Sequence, residues 1–200
     1  MIIALCGAAG AGKSEVAKHL ANNYDFIRPH PLQPMKDMLE AFGLTGDEIN
    51  GSLKEAPCDK LGGKSPRHAQ ITLGTEWGRS CIAKDLWIRR WMQQYDGYDA
   101  VCESIRFPDE EKCVHGKAGV VIKIVSNRSI APPVQWGLLG RFFVALGFKF
   151  PIHPSERHDL IREDYTIINN GSLADLHYDV DLVMWRIYGY GTGKPVRKVS

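Results

Sequence analysis

Eight consecutive residues, Gly7-Ala8-Ala9-Gly10-Ala11-Gly12-Lys13-Ser14, fill every fixed position of the pattern G-x-x-x-x-G-K-[ST]. Residue types at this spacing bind phosphate. The small residues Gly7, Gly10, Ala11 and Gly12 let successive backbone N–H groups converge on one anion, and a helix starting behind them adds its partial positive end. Lys13 has the reach for a β- or γ-phosphate oxygen, the Ser14 hydroxyl can complete a Mg2+ shell, and Glu15 closes the candidate set. The implied ligand is a nucleoside triphosphate. The bland alternative is a tight strand-to-helix turn that holds no ligand.

The flanking residues supply the elements such a loop needs. Ile2-Ile3-Ala4-Leu5-Cys6 is a short apolar run of the buried-strand type, and Val16, Ala17 and Leu20 fall at helical spacing. Residues 25–28 read as a weak second strand ended by Pro29. A helix is predicted over 34–42, with Met35, Met38, Leu39 and Phe42 on one stripe and Gly43 as its stop. Residues 44–66 read as a mobile surface segment, and a second helical region spans about 67–94 with breaks near Gly74 and Gly78. Further strands are predicted at 100–105, 119–125 and 165–169, and Ser172 can cap a last helix running towards Tyr188. Alternating strands and helices predict an α/β fold: a parallel sheet with helices on both faces. One domain over 1–188 is expected, with an insertion at about 44–95, a flexible cover at about 127–163 and a frayed tail at 189–200.

Composition narrows the partners. A net charge of +2 and a pI near 8.2 are too mild to argue for nucleic-acid or membrane-surface binding. The apolar stretch 136–150 contains Arg141 and Lys149 and is too short for a membrane span; it is expected to pack on the body or to form a homodimer interface. Five cysteines without a C-x-x-C pair indicate neither a zinc ribbon nor a disulfide framework. With a strand starting at Ile2, no room is left for a cleaved signal peptide, and a cytoplasmic protein is expected.

Four further clusters carry chemistry. Arg67, Gln70 and Trp77 share one face if their helix continues, with Arg79 close to it; a guanidinium grips phosphate while Gln and Trp read and stack on a base. Their alternative is a solvated helix face. Arg106 follows the 100–105 strand, at the edge where ligands of open α/β sheets collect, and its alternative is an ion pair with Asp109 or Glu110. Arg128 lies in the candidate cover with Arg141 and the run His153-Pro154-Ser155-Glu156. Asn169 and Asn170 stand where a strand hands over to a helix, able to meet an adenine edge or to do ordinary turn and cap work.

In their order along the chain, the phosphate loop, Pro34-Met35-Lys36, Arg67-x-x-Gln70, Gly74-Thr75-Glu76 with Arg79, Arg106-Phe107-Pro108-Asp109-Glu110, His153-Pro154-Ser155-Glu156 and Asn169-Asn170-Gly171-Ser172-Leu173 resemble tailed-phage deoxynucleoside monophosphate kinases. The resemblance implies a P-loop three-layer fold with a central five-stranded parallel sheet, ATP and Mg2+, and transfer of a phosphoryl group to a dNMP. It implies Lys13, Arg67, Arg79 and Arg106 as the catalytic set. Lys36, Gln70, Thr75 and Trp77 join those arginines on the substrate side, and Arg128 and Asn170 join the loop on the ATP side. The acid often found two residues before such an arginine is Ser104 here, so Glu103 is the candidate metal-orienting carboxylate beside Ser14; Gln33 likewise replaces an acid often found before Pro-x-Lys. Length and the Asn-Gly-Ser turn also resemble dephospho-coenzyme A kinases, and a catalytically weakened ATP-binding regulatory module is the remaining alternative.

Overall fold

Four apolar runs find one another as parallel strands. In this computed structural model, which describes residues 1–127 and 158–189, they are β1 (Ile2–Cys6), β2 (Ala100–Cys102), β3 (Val120–Val125) and β4 (Tyr165–Ile168). The sheet order is β2-β1-β3-β4, with Ala4 opposite Cys102 and Val121, and Ile124 opposite Ile167. β1 and β2 are buried throughout except Ile2, as expected for strands covered on both faces. Helix α1 (Lys13–Tyr24) and helix α7 (Leu173–Tyr188) pack together on one face. Their Val16, Leu20, Val180 and Met184 form a core with Ile3, Leu5, Ile122 and Ile124. Helix α6 (Pro108–Gly116) packs on β1 and β3, and Glu111 lies close enough to feel the Cys6 thiol, which points opposite to Leu5.

The expected fifth strand is corrected to a single bridge. Ile27 pairs in parallel with Ala100, donating to Asp99 O and accepting from Val101 N, both at 2.9 Å. Nothing extends the pairing: Asp25 sits in the left-handed region at φ 59°, and Pro29 has no N–H to give. The stub is nonetheless on the side of β2 away from β1. From the stub and β2 the chain returns past β1 to β3, so β1 stands at the point where strand order reverses, which is where such sheets gather ligands.

Two compact units divide the chain: Met1–Arg28 joined to the residues from Tyr98 onward, which hold the sheet, and Pro29–Gly97. The second unit contains α2 (Gln33–Ala41), α3 (Gly46–Asn50), α4 (Pro66–Ile71) and α5 (Leu86–Gln94). Residues 44–66, read from their composition as a mobile segment, fold instead. Thr45 and Glu48 form a reciprocal capping box at the start of α3, and Leu44 and Ile49 bury against Leu39. Gly74 and Gly78 do not break the helical region; α4 widens at Thr72–Ile82 into a π-helical stretch. Thr72 Oγ1 donates to His68 O at 3.0 Å, a carbonyl that also accepts from the Thr72 N–H, and a Cβ on Gly78 would stand 2.6 Å from the indole nitrogen of Trp87. The glycine is there for close packing.

Candidate functional site

The loop between β1 and α1 is held from two sides by tight backbone packing. Gly7 has φ 132°, and a Cβ there would collide with the carbonyl of Ile124 on β3. Gly12 has φ 105°, and a Cβ there would strike the side-chain amide of Asn169. That amide donates to Ala11 O at 2.9 Å, so the end of β4 clamps the loop. The pattern itself ends in a helix N-terminus: Glu15 N and Val16 N donate to Gly12 O at 3.0 and 3.1 Å, with Gly12 as the cap. Lys13 Nζ lies 2.8 Å from both Gly7 O and Ala8 O, which places the ammonium over the bend it would share with phosphate. Ser14 is exposed on the first turn of α1, and Glu15 pairs with Lys18 at 2.6 Å, which lowers its carboxyl pKa. This is a cradle that side-chain carbons would fill, and its donors and cation fit a polyphosphate.

The segment after β2 runs beside this loop, because Ile105 N donates to Leu5 O at 2.9 Å. Arg106 follows it, exposed. Its backbone N–H donates to Glu110 Oε2 at 2.7 Å, while its Nε reaches only Ser104 Oγ at 3.4 Å, so the ion pair offered as its alternative is not the contact made. Glu103 is gripped by Arg28, whose Nε and Nη2 donate to Oε1 at 3.1 and 2.5 Å. Among the described residues, no group of three His, Cys, Asp or Glu is placed to hold a metal ion. At the β3–β4 end, Asn170 Oδ1 accepts from Asn127 N at 2.8 Å, a cap on the strand end. Asn169, whose neighbour Asn170 was the expected ATP contact, emerges as the loop's tether; its spacing of two residues from the capping Gly171-Ser172 turn was the available signal.

In the Pro29–Gly97 unit the expected side chains separate. Gln70 is 7% exposed and its Nε2 donates to Ile49 O at 2.7 Å, so its amide nitrogen is engaged by the fold. Arg67 and Thr75 are exposed and Arg79 is half-buried. Lys36 is half-buried, and burial, followed by the like charge of Lys54, lowers its pKa. Trp77 is 42% exposed and lines a cavity of about 420 Å3 that Lys36 does not line. On α2, Pro34, Asp37 and Met38 face this cavity and Leu39 faces the small core, so Lys36 and Trp77 are not brought together there. Arg128, Arg141, His153-Pro154-Ser155-Glu156, the apolar stretch 136–150 and the tail beyond 189 lie outside the described residues. No helix among the described residues is long and apolar enough to cross a membrane.

Comparison with known proteins agrees with this geometry at the level of fold. No family model matches the chain. A protein of Acanthamoeba polyphaga mimivirus named as a deoxynucleotide monophosphate kinase is 28% identical over 141 residues, covering 62% of this chain and 73% of its own. Shikimate kinase from Aquifex aeolicus superposes with a TM-score of 0.51 at 14% identity, covering 96% of this chain and all of the other. Shikimate kinase from Bacteroides thetaiotaomicron gives 0.53 at 12%, over 94% of this chain and 99% of its own. The chain has the α/β parallel-sheet fold of P-loop kinases, with four strands in its sheet among the described residues.

Proposed function

We propose that this protein is a nucleoside monophosphate kinase that transfers the γ-phosphoryl group of ATP to a deoxynucleoside monophosphate. The observation that carries the reading is the loop: backbone donors around Gly7–Ser14, a cation poised over them, and no room for a Cβ at Gly7 or Gly12. The mimivirus relative supports the choice of acceptor.

In this reading an oxygen of the acceptor phosphate attacks the γ-phosphorus, the bond from that phosphorus to the β–γ bridging oxygen breaks, and ADP departs with the bridging oxygen. Such a reaction is accelerated by positioning and charge neutralisation. Loop amides and Lys13 hold the donor phosphates. The exposed Arg106 neutralises charge on the group in flight; Arg67, Arg79 and Lys36 take the acceptor phosphate, and Thr75 is assigned to the same substrate side. Ser14 would hold a Mg2+ ion, which would supply positive charge to the donor phosphates. Glu103, whose Oε1 is engaged by Arg28, would be the acidic group beside that ion. Incubation with Mg-ATP and each of the four dNMPs, with products resolved by chromatography, is expected to give dNDP and ADP. Tight ATP binding without transfer to any monophosphate overturns the reading.

A further inference from the structure

The cavity in the Pro29–Gly97 unit has features that the phosphate chemistry leaves unused. Trp77 and Trp87 form two of its walls, their rings 6.2 Å apart between centroids and inclined by 47°. Trp87 is 5% exposed and fixed: its indole N–H donates to Gly74 O at 2.8 Å, and the missing side chain of Gly78 gives its ring room. Trp77, 42% exposed, is the outer wall, and Met38, equally exposed, lines the cavity with it. At about 420 Å3 the space falls in the range of small-molecule sites, which pair apolar walls with a few orienting polar groups.

Three polar side chains line it: Asp37, Arg90 and Gln94. Asp37 Oδ1 accepts from Gln33 Nε2 at 2.7 Å, which fixes the carboxylate and leaves Oδ2 to accept. Arg90 stands in contrast to Arg89, which pairs with Asp85 at 2.5 Å one helical turn back; no ion pair or hydrogen bond engages the Arg90 guanidinium among the described residues. A fixed carboxylate, a free planar fork of donors and two indole faces define the ligand by complementarity. It is flat and aromatic, with adjacent donors on one edge and adjacent acceptors on another.

We infer that this cavity binds a guanine base, stacked on Trp77, with N1–H and N2–H donating to Asp37 and with O6 and N7 accepting from Arg90. Among the common bases, guanine alone presents both a paired donor edge and a paired acceptor edge. The base has two possible sources: the acceptor nucleotide itself, in which case the inference rests on the kinase reading, or a separate guanine nucleotide acting as an effector.

Tryptophan fluorescence, titrated without ATP with GMP, AMP, CMP and TMP, reads binding independently of catalysis. The expected result is quenching by GMP at concentrations at least tenfold lower than by the others. Asp37→Asn is expected to erase that preference and Trp77→Ala to weaken GMP binding at least tenfold, with circular dichroism confirming that both variants stay folded. Quenching equal for all four nucleotides, or unchanged by Asp37→Asn, overturns the inference. Transfer assays then assign the source. A rise in KM for dGMP alone in Asp37→Asn, at constant kcat, marks the acceptor; GMP binding with unaltered dGMP kinetics in that variant marks an effector. Failure of all transfer alongside intact GMP selectivity refutes the kinase reading and leaves the base site standing.

Discussion

The phosphate loop and the aromatic cavity are built by different means. The loop is shaped by backbone: two positive-φ glycines stand where a neighbouring carbonyl or amide would meet a side chain, and a side chain from β4 clamps Ala11. The cavity is shaped by side chains, with one wall pinned by Trp87 and the other formed by a half-exposed Trp77. A backbone site tolerates almost no substitution, because every residue in it is fixed by its own φ/ψ and by close approach. A side-chain site can be rebuilt residue by residue, and so varies in specificity while its scaffold stays.

The largest expected effects break the loop side of this contrast. Lys13→Ala is expected to reduce transfer by about a thousandfold or more, the scale of a lost transition-state donor, and unchanged dNDP formation would refute the donor site. Arg106→Ala is expected to lower kcat on the same scale, about a thousandfold, while the Kd for ATP measured by calorimetry moves little. Equal loss of both would mean that Arg106 supports the loop rather than the reaction.

Next comes the glycine comparison. Gly7→Ala and Gly43→Ala both force a left-handed backbone on alanine, at φ 132° and 102°, but only the first drives a Cβ into a carbonyl. Gly43→Ala should cost about 1 kcal/mol, and Gly7→Ala clearly more, on the order of 3 kcal/mol, with loss of ATP binding. Thermal melts with and without nucleotide check both, and equal melts would remove the claim that β3 shapes the loop.

Two side-chain amides, Gln70 buried and Asn169 half-buried, give smaller effects of different kinds. Gln70→Leu strands the Ile49 carbonyl and is expected to cost about 1–3 kcal/mol of stability. Asn169→Ala frees Ala11 O and is expected to raise the Kd for ATP several-fold for about 1 kcal/mol of lost restraint. If Asn169→Ala melts early with an unaltered Kd, its bond serves the fold and not the loop.

The smallest effect is on pH, and it also separates the two units. His177 stacks on His19 at 4.2 Å, and burial, followed by the His19 charge, lowers its pKa below the ordinary 6.5 against the opposing pull of Asp181 and Glu15. The unfolded chain then binds more protons below about pH 6.5, so stability of the sheet unit falls as pH drops through that value. Glu48 is held down to about 2 by the Thr45 N–H and hydroxyl and by Lys60, so its contribution is present above the ordinary 4.5 and lost only as pH falls from there towards 2. Hydrogen exchange followed by mass spectrometry should show amides of α1 and α7 opening at milder acid than those of α3. His177→Gln should abolish the earlier transition.

Much of this was legible in the residues. The strands at β1, β3 and β4, the Ser172 cap of α7 and the loop could be read because each is a local pattern: an apolar run, a capping side chain, a glycine spacing. Residues 25–28 misled because a short apolar run fixes strand propensity but not pairing, and pairing ended at Pro29. Residues 44–66 misled in the other direction. Their Gly, Lys and Asp content hides a capping box and two apolar anchors, Leu44 and Ile49, whose partner Leu39 belongs to another helix.

What the amino-acid order determined alone is the chemistry of a contiguous stretch. Eight residues carry the donors, the lysine and the positive-φ glycines of the loop within one stretch of chain. Tertiary structure decided what depends on distant partners: that Asn169 tethers the loop, that Gln70 spends its amide on Ile49, that Arg28 engages Glu103, and that Asp37, Arg90 and two indoles meet around one cavity. The three hydrogen-bonded pairs among them join positions between 21 and 158 residues apart, and no periodicity encodes them, because they follow from how packed helices and strands bring separate side chains to one place.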